Sequence, residues 1–197
     1  MSPSGRAGDP WLERWLPLLG GSPAGPVLEL GCGRGRDTAT LVAAGRAVVA
    51  ADRNLDALRE CRARVPAARR VQLDLGAPPL PFASARFPVV VASLSLHYFA
   101  WDVTLVLAGE IARCLAPSGA LILRLNSTED VHHGAAAPDE IEPGLKLFEG
   151  APKRFFDRAA VEALLRGWRI DFLEHSTIDR YENPKTVWEA VARPPAP

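Results

Sequence analysis

The sequence predicts an α/β fold built on a doubly wound, largely parallel sheet. Three observations carry this. Residues 27–52 read as strand, glycine turn, helix, strand and acid, the order of the nucleotide half of such a fold. Short apolar runs at 71–73, 87–92 and 120–125 then alternate with helical patterns. Finally, 168–177 and 186–192 read as two strands joined by a turn over 181–185, a terminal hairpin.

In chain order, residues 1–8 are small and polar and are expected to be disordered. Asp9-Pro10 is a helix start, followed over 11–19 by an amphipathic pattern of Trp11, Leu12, Trp15, Leu16 and Leu19, which Pro17 bends or ends. Its two tryptophans fit either a core face or a lid over a pocket. Val27, Leu28 and Leu30 form a buried strand, and Gly31, Gly33 and Gly35 follow at alternate positions. Residues 38–44 continue as helix with Gly45 as its cap, and 47–51 make a second strand ending in Asp52. Asn54 caps a helix over 55–65, stopped by Pro66, and a third strand ends at Asp74.

The fourth strand, 87–92, carries Pro88, which a central strand admits only at its first residue or a bulge. Ser93 and Leu94 close it, and His97 and Tyr98 lie one helical turn further on. A helix over 102–115, a turn at 117–119 and a fifth strand over 120–125 follow. Residues 127–150 show no regular pattern; a stretch of this length after the fifth strand is where such an architecture usually keeps its substrate contacts, so it is expected to be a substrate-side insertion. Phe155 and Phe156 precede Asp157, the N-cap of a helix over 158–166 that Gly167 closes.

The glycine turn departs from the dinucleotide fingerprint. Its third glycine comes one position early, and Arg36 stands where that fingerprint needs a small residue for close helix–strand packing. The pattern from Glu29 to Gly35, acid-x-G-x-G-x-G, resembles motif I of the class I S-adenosylmethionine-dependent methyltransferases. Asp52 lies 21 positions after Gly31, close to the spacing of a carboxylate that grips ribose hydroxyls. The resemblance implies a single Rossmann-like domain over 1–197, its seven strands in the order 3-2-1-4-5-7-6 with a C-terminal antiparallel hairpin. It also implies S-adenosylmethionine as cofactor. The loop of Gly31, Cys32, Gly33 and Gly35 then passes under the methionine part and Glu29 helps hold its amino group. Asp52, with Arg53 beside it, holds the ribose. Asp74 and the backbone of Leu75 hold the adenine, and Ser93 and Leu94 border the sulfonium. Phe-Phe-Asp followed by Leu-Leu-Arg-Gly-Trp is similar to the C-terminal part of tellurite-resistance-type methyltransferases.

Methyl transfer needs a base only when the acceptor must lose a proton. His97 is the first candidate, because histidine titrates near neutral pH; Tyr98, His132, His133 and Tyr181 follow. Two other readings remain: a non-catalytic S-adenosylmethionine-binding protein and a nicotinamide-dependent oxidoreductase. A formal net charge of zero, without basic runs, gives no footprint for nucleic acid, so a small-molecule acceptor is expected. Three scattered cysteines fit a reducing, cytoplasmic setting. No segment reads as a membrane span or a signal peptide, and the protein is expected to be a monomer or homodimer. His132-His133 alone makes no metal site.

Overall fold

The structure, a computed structural model, describes residues 10–22, 24–179 and 181–195. The Asp9 cap, the disorder expected of 1–8 and the last two residues of the tail lie outside the described residues. A 3-10 turn over Glu13–Trp15 leads into α1 (Leu16–Gly20). The alternation then runs β1 (Val27–Leu30), α2 (Arg36–Ala43), β2 (Val48–Asp52), α3 (Leu55–Arg64), β3 (Arg69–Gln72), β4 (Phe87–Ser93), α4 (Trp101–Cys114) and β5 (Leu115–Asn126). Three short strands follow: β6 (Glu140–Glu142), β7 (Leu145–Phe148) and β8 (Ala151–Arg154). The chain closes with α5 (Arg158–Leu164), β9 (Arg169–Ile178) and β10 (Lys185–Arg193).

The main sheet has seven strands in the order β3-β2-β1-β4-β5-β10-β9. The first five are parallel, and β10 pairs antiparallel with both β5 and β9. This is the expected order, with the hairpin strands numbered later because three strands of a separate small sheet precede them.

Both faces of the sheet are covered, and strict alternation along the strands decides which side chain meets which layer. Leu28, Leu30, Val90, Ala92, Leu121 and Leu123 face one layer, where α4 and α5 bring Leu107, Ile111, Val161 and Leu164. Val27, Val89, Val91, Ala120 and Ile122 face the other, with Leu41 of α2 and Leu58 and Cys61 of α3.

The N-terminal segment joins this second layer. Trp11, Leu12 and Leu19 are buried there. The Trp11 indole N–H donates to both Asp37 carboxylate oxygens at 3.1 Å, and the Trp15 indole N–H donates to Glu189 at 2.7 Å. Pro17 starts α1 instead of bending it, since a first-turn proline lacks only an N–H that would have no helical partner.

Two irregularities bear on the sequence reading. Pro88 does not delay β4 until Val89. The strand begins at Phe87 and carries a register break between Phe87, paired with Leu115, and Val89, paired with Ala120. The proline sits in that bulge, where no ladder N–H is needed. The region 127–150 also holds more order than its pattern shows. A 3-10 turn over Val131–His133 precedes the antiparallel sheet β6-β7-β8. Strands of three or four residues are too short to display a period. The turn joining β7 to β8 uses Glu149 and Gly150, both at positive φ, instead of the Asn-Gly pair that announces such turns.

Candidate active site

The strands β1, β2, β3 and β4 end on one edge, and the loops that follow them frame a crevice. An open α/β sheet gathers its binding residues there, outside the carboxyl ends of its strands. Two cavities of about 530 and 390 Å³ share Gly31, Gly33, Arg34, Leu94 and Tyr98 in their walls, so they adjoin along the glycine loop and the end of β4.

The smaller cavity lies over β2 and β3. Asp52, Arg53, Asp74 and Leu75 line it. The Asp52 carboxylate accepts the Gly33 N–H at 2.8 Å through one oxygen and the Asn54 N–H at 2.9 Å through the other. It thereby ties the glycine loop to the start of α3 and keeps a lone pair on each oxygen. Asp74 accepts the Gly76 N–H at 2.8 Å.

The glycines make a cradle. Gly31 has φ +74, and a Cβ there would lie 2.4 Å from the Cβ of Ser95. Gly35, at φ +78, is pressed against Cys61. Gly33 differs: a Cβ there would meet no atom within 4 Å, because the space beside it is the crevice itself. Leu94 is held at φ +54, a conformation uncommon for leucine, where β4 enters both cavities. Ser93 is fixed by the Arg124 guanidinium, which donates to its hydroxyl at 2.9 and 3.1 Å and stacks 4.1 Å from the Trp11 ring.

The larger cavity begins over Glu29, Cys32 and Ser93. Glu29 accepts the Thr38 hydroxyl at 2.5 Å. Burial, with the Asp37 and Asp52 charges nearby, pushes its carboxyl up to about 8, so it carries a proton at neutral pH. Burial also pushes the Cys32 thiol up, which leaves it inert and agrees with its reading as a small residue that fits the loop.

The far side of this cavity holds His97, Tyr98, His133, Lys153, Tyr181 and Lys185. His97 is 2% exposed, and neither ring nitrogen has a hydrogen-bond partner. Burial, with the Lys185 and Lys153 ammoniums, holds it well below the usual histidine range. An imidazole titrating near neutral pH was expected; this one stays neutral because desolvation opposes its charged form. The Tyr98 ring lies 4.1 Å from the His97 ring, and burial pushes its phenol up.

Every residue expected at the cofactor except Gly35 therefore lines one or both cavities by side chain or loop backbone, and Gly35 shapes the loop by packing. His133 and Tyr181 reach the larger cavity, and His132 does not. No residue from 10 to 22 lines either cavity, so the described part of the segment expected as a lid serves as core packing. Sequence reasoning missed Asp37, Lys153, Lys185 and the buried Asp130 behind them. One signal was available: the chain has three lysines against twenty arginines, and two of the three stand here.

Residues 27–119 match a family model described as a methyltransferase domain. An uncharacterized methyltransferase of Synechocystis sp. is 36% identical over 110 residues, 55% of this chain. The match spans 51% of that relative, about half its length. A crystal structure of an S-adenosylmethionine-dependent methyltransferase from Methanosarcina mazei superposes with a TM-score of 0.76 at 18% identity, covering 92% of this chain and 98% of that one. The chain has a class I methyltransferase fold. Burkholderia thailandensis 1,6-didemethyltoxoflavin-N1-methyltransferase, crystallised with bound 1,6-didemethyltoxoflavin and S-adenosylhomocysteine, shares that fold at a TM-score of 0.70 and 21% identity, over 94% of this chain and 77% of its own. Among the described residues no helix is long and apolar enough to cross a membrane, and no group of three or more His, Cys, Asp or Glu residues is arranged to hold a metal.

Proposed function

We propose that the protein is an S-adenosylmethionine-dependent methyltransferase acting on a small-molecule acceptor. The observation that carries this reading is the glycine cradle open at Gly33, with acids at the ends of β1, β2 and β3 along one crevice. The residues present fit the cofactor. Asp52 and Asp74 face the cavity over β2 and β3 with acceptor capacity for ribose hydroxyls and an adenine amino group, and Glu29 offers a partner for an ammonium. The bound sulfonium would supply the methyl group: an acceptor lone pair bonds to its carbon while the carbon–sulfur bond breaks and sulfur takes the electrons.

The chain's own work is positioning and exclusion of water. His97 and Tyr98 border the acceptor end of the cavity. The neutral imidazole offers an open acceptor nitrogen at physiological pH, but burial beside two ammoniums makes it a weak base, so it orients an acceptor by hydrogen bonding and takes a proton only from an acidic one. Titration of S-adenosylmethionine, S-adenosylhomocysteine and NAD tests the reading, followed by cofactor turnover. NAD binding without S-adenosylmethionine binding overturns it. Binding without turnover against any acceptor favours the non-catalytic alternative.

Two results are expected at the cofactor. Replacing Asp52 by Ala removes a charged acceptor worth roughly 1.5–3 kcal/mol, so S-adenosylhomocysteine affinity falls by about tenfold or more. Unchanged affinity in calorimetry would show that the ribose is held elsewhere. The second result follows from Glu29, which is protonated at neutral pH in the free protein, its carboxyl standing at about 8. An ammonium beside it favours the carboxylate, so the complex binds fewer protons than the free protein and affinity rises with pH up to about pH 8. Calorimetry in buffers of different ionisation enthalpy should detect about one proton released near neutral pH. Glu29→Gln should abolish the release; a release that persists in this variant places the proton on another group.

A further inference from the structure

The acceptor end of the crevice has a charge pattern that methyl transfer itself does not require. Lys185 is paired: its ammonium lies 2.6 Å from Asp130, both side chains are buried, and Asp130 also meets His133 Nδ1 at 2.9 Å. Lys153 is held differently. Its ammonium donates to the His133 carbonyl at 2.6 Å and lies 5.0 Å from the Phe148 ring centroid. Among the described residues no carboxylate forms an ion pair with it; Asp130 and Glu149 act on it only at longer range. Burial and the Lys185 charge lower its ammonium to about 8, against the weaker opposing pull of Asp130 and Glu149. A lysine half removed from water, beside a second lysine and without a counter-ion, is a costly arrangement that an anion relieves. Next to it in the same cavity stands His97, fully buried, with one N–H donor and one acceptor and no partner for either.

We propose that the acceptor is a small molecule bearing an anionic group, a carboxylate or a phosphate, received by Lys153 and Lys185 beside the unpartnered imidazole of His97. This rests on the methyltransferase reading above and names the substrate class of the same site. The acidic side chains of the cavity, the protonated Glu29 and Asp37, lie at its glycine-loop end, with β1 and the start of α2. Lys153 and Lys185 come from β8 and β10 and face the space beyond. Lysine suits the task, as a compact charge on a flexible stem that adapts to an anion without the fixed fork of arginine.

Calorimetric titration of the 197-residue chain tests this. The protein is first titrated with S-adenosylhomocysteine; failure at this stage removes the cofactor reading and the proposal with it. The saturated protein is then titrated at constant ionic strength with benzoate, phenyl phosphate and the uncharged control benzamide. One anion should bind at least tenfold more tightly than benzamide, and which of the two it is assigns the carboxylate or phosphate. Lys153→Met should reduce that binding at least tenfold, and Lys153→Arg should retain most of it. The methionine variant is expected to fold, because it removes a charge that burial disfavours. S-adenosylhomocysteine affinity should stay within threefold in both variants. The proposal is overturned if neither anion binds, if benzamide binds equally, or if Lys153→Met leaves anion binding unchanged. It is also overturned if that variant weakens S-adenosylhomocysteine tenfold, which would assign Lys153 to the cofactor carboxylate.

Discussion

Asp130→Ala is expected to lower stability by about 3–5 kcal/mol, the range for breaking a buried ion pair from one side. The side chain is fully buried and bridges three partners. Its oxygens receive the Lys185 ammonium at 2.6 Å and the Thr186 N–H at 3.2 Å, and one lies 2.9 Å from His133 Nδ1. Truncation leaves the Lys185 ammonium buried without its counter-charge and a backbone donor without its acceptor. For a chain of this length the melting temperature should fall by roughly 6–20 °C. A double variant, Asp130→Ala with Lys185→Met, should recover much of the loss, because the stranded charge is then absent. Urea and thermal melts on the three variants decide it. A loss under about 1 kcal/mol in the single variant would mean that water or another group already screens Lys185.

Gly31→Ala should cost S-adenosylhomocysteine affinity by about a hundredfold, near 2.7 kcal/mol. Two effects combine. At φ +74 an alanine pays about 1–2 kcal/mol in the backbone. Its Cβ would also sit 2.4 Å from the Ser95 Cβ, closer than two carbons approach, so the loop or the β4 end must move. The loop is held by its own N–H groups: Gly31 and Cys32 donate to the Ala51 carbonyl at 2.8 and 3.0 Å, and Gly33 donates to Asp52. A shift at Gly31 therefore displaces the cradle and the ribose-side acid together. Adding Ser95→Gly removes the clashing Cβ and should restore part of the affinity. Near-native binding and melting temperature in Gly31→Ala would show that the loop absorbs a side chain, and that the cradle is not shaped by this contact.

The local pattern of this chain determined its fold and the glycine-loop half of its crevice. Val27 to Asp52 carries strand, loop and acid within one continuous stretch, and helix capping by Asn54 and Asp157 appears where the sequence predicts it. Such features depend on residues within a few positions of each other, where periodicity, positive φ and capping act directly on the chain. Even there some outcomes were tertiary. Whether Trp11 packed in the core or covered the crevice depended on Asp37 and Arg124, which it meets across the fold.

The end of the cavity that holds Lys153 and Lys185 was decided by tertiary structure alone. Asp130 and Lys185 stand 55 positions apart, and Lys153 comes from a strand too short to announce itself. Each is an ordinary polar residue in its own sequence neighbourhood. Their charges acquire meaning only when β8, β10 and the turn after β5 bring them into one cavity with His97. Burial then strengthens the interaction between ammoniums and carboxylate and raises the cost of leaving a charge or an imidazole unpartnered. Periodicity can report which face of an element is buried; it carries no record of which distant charges share that burial.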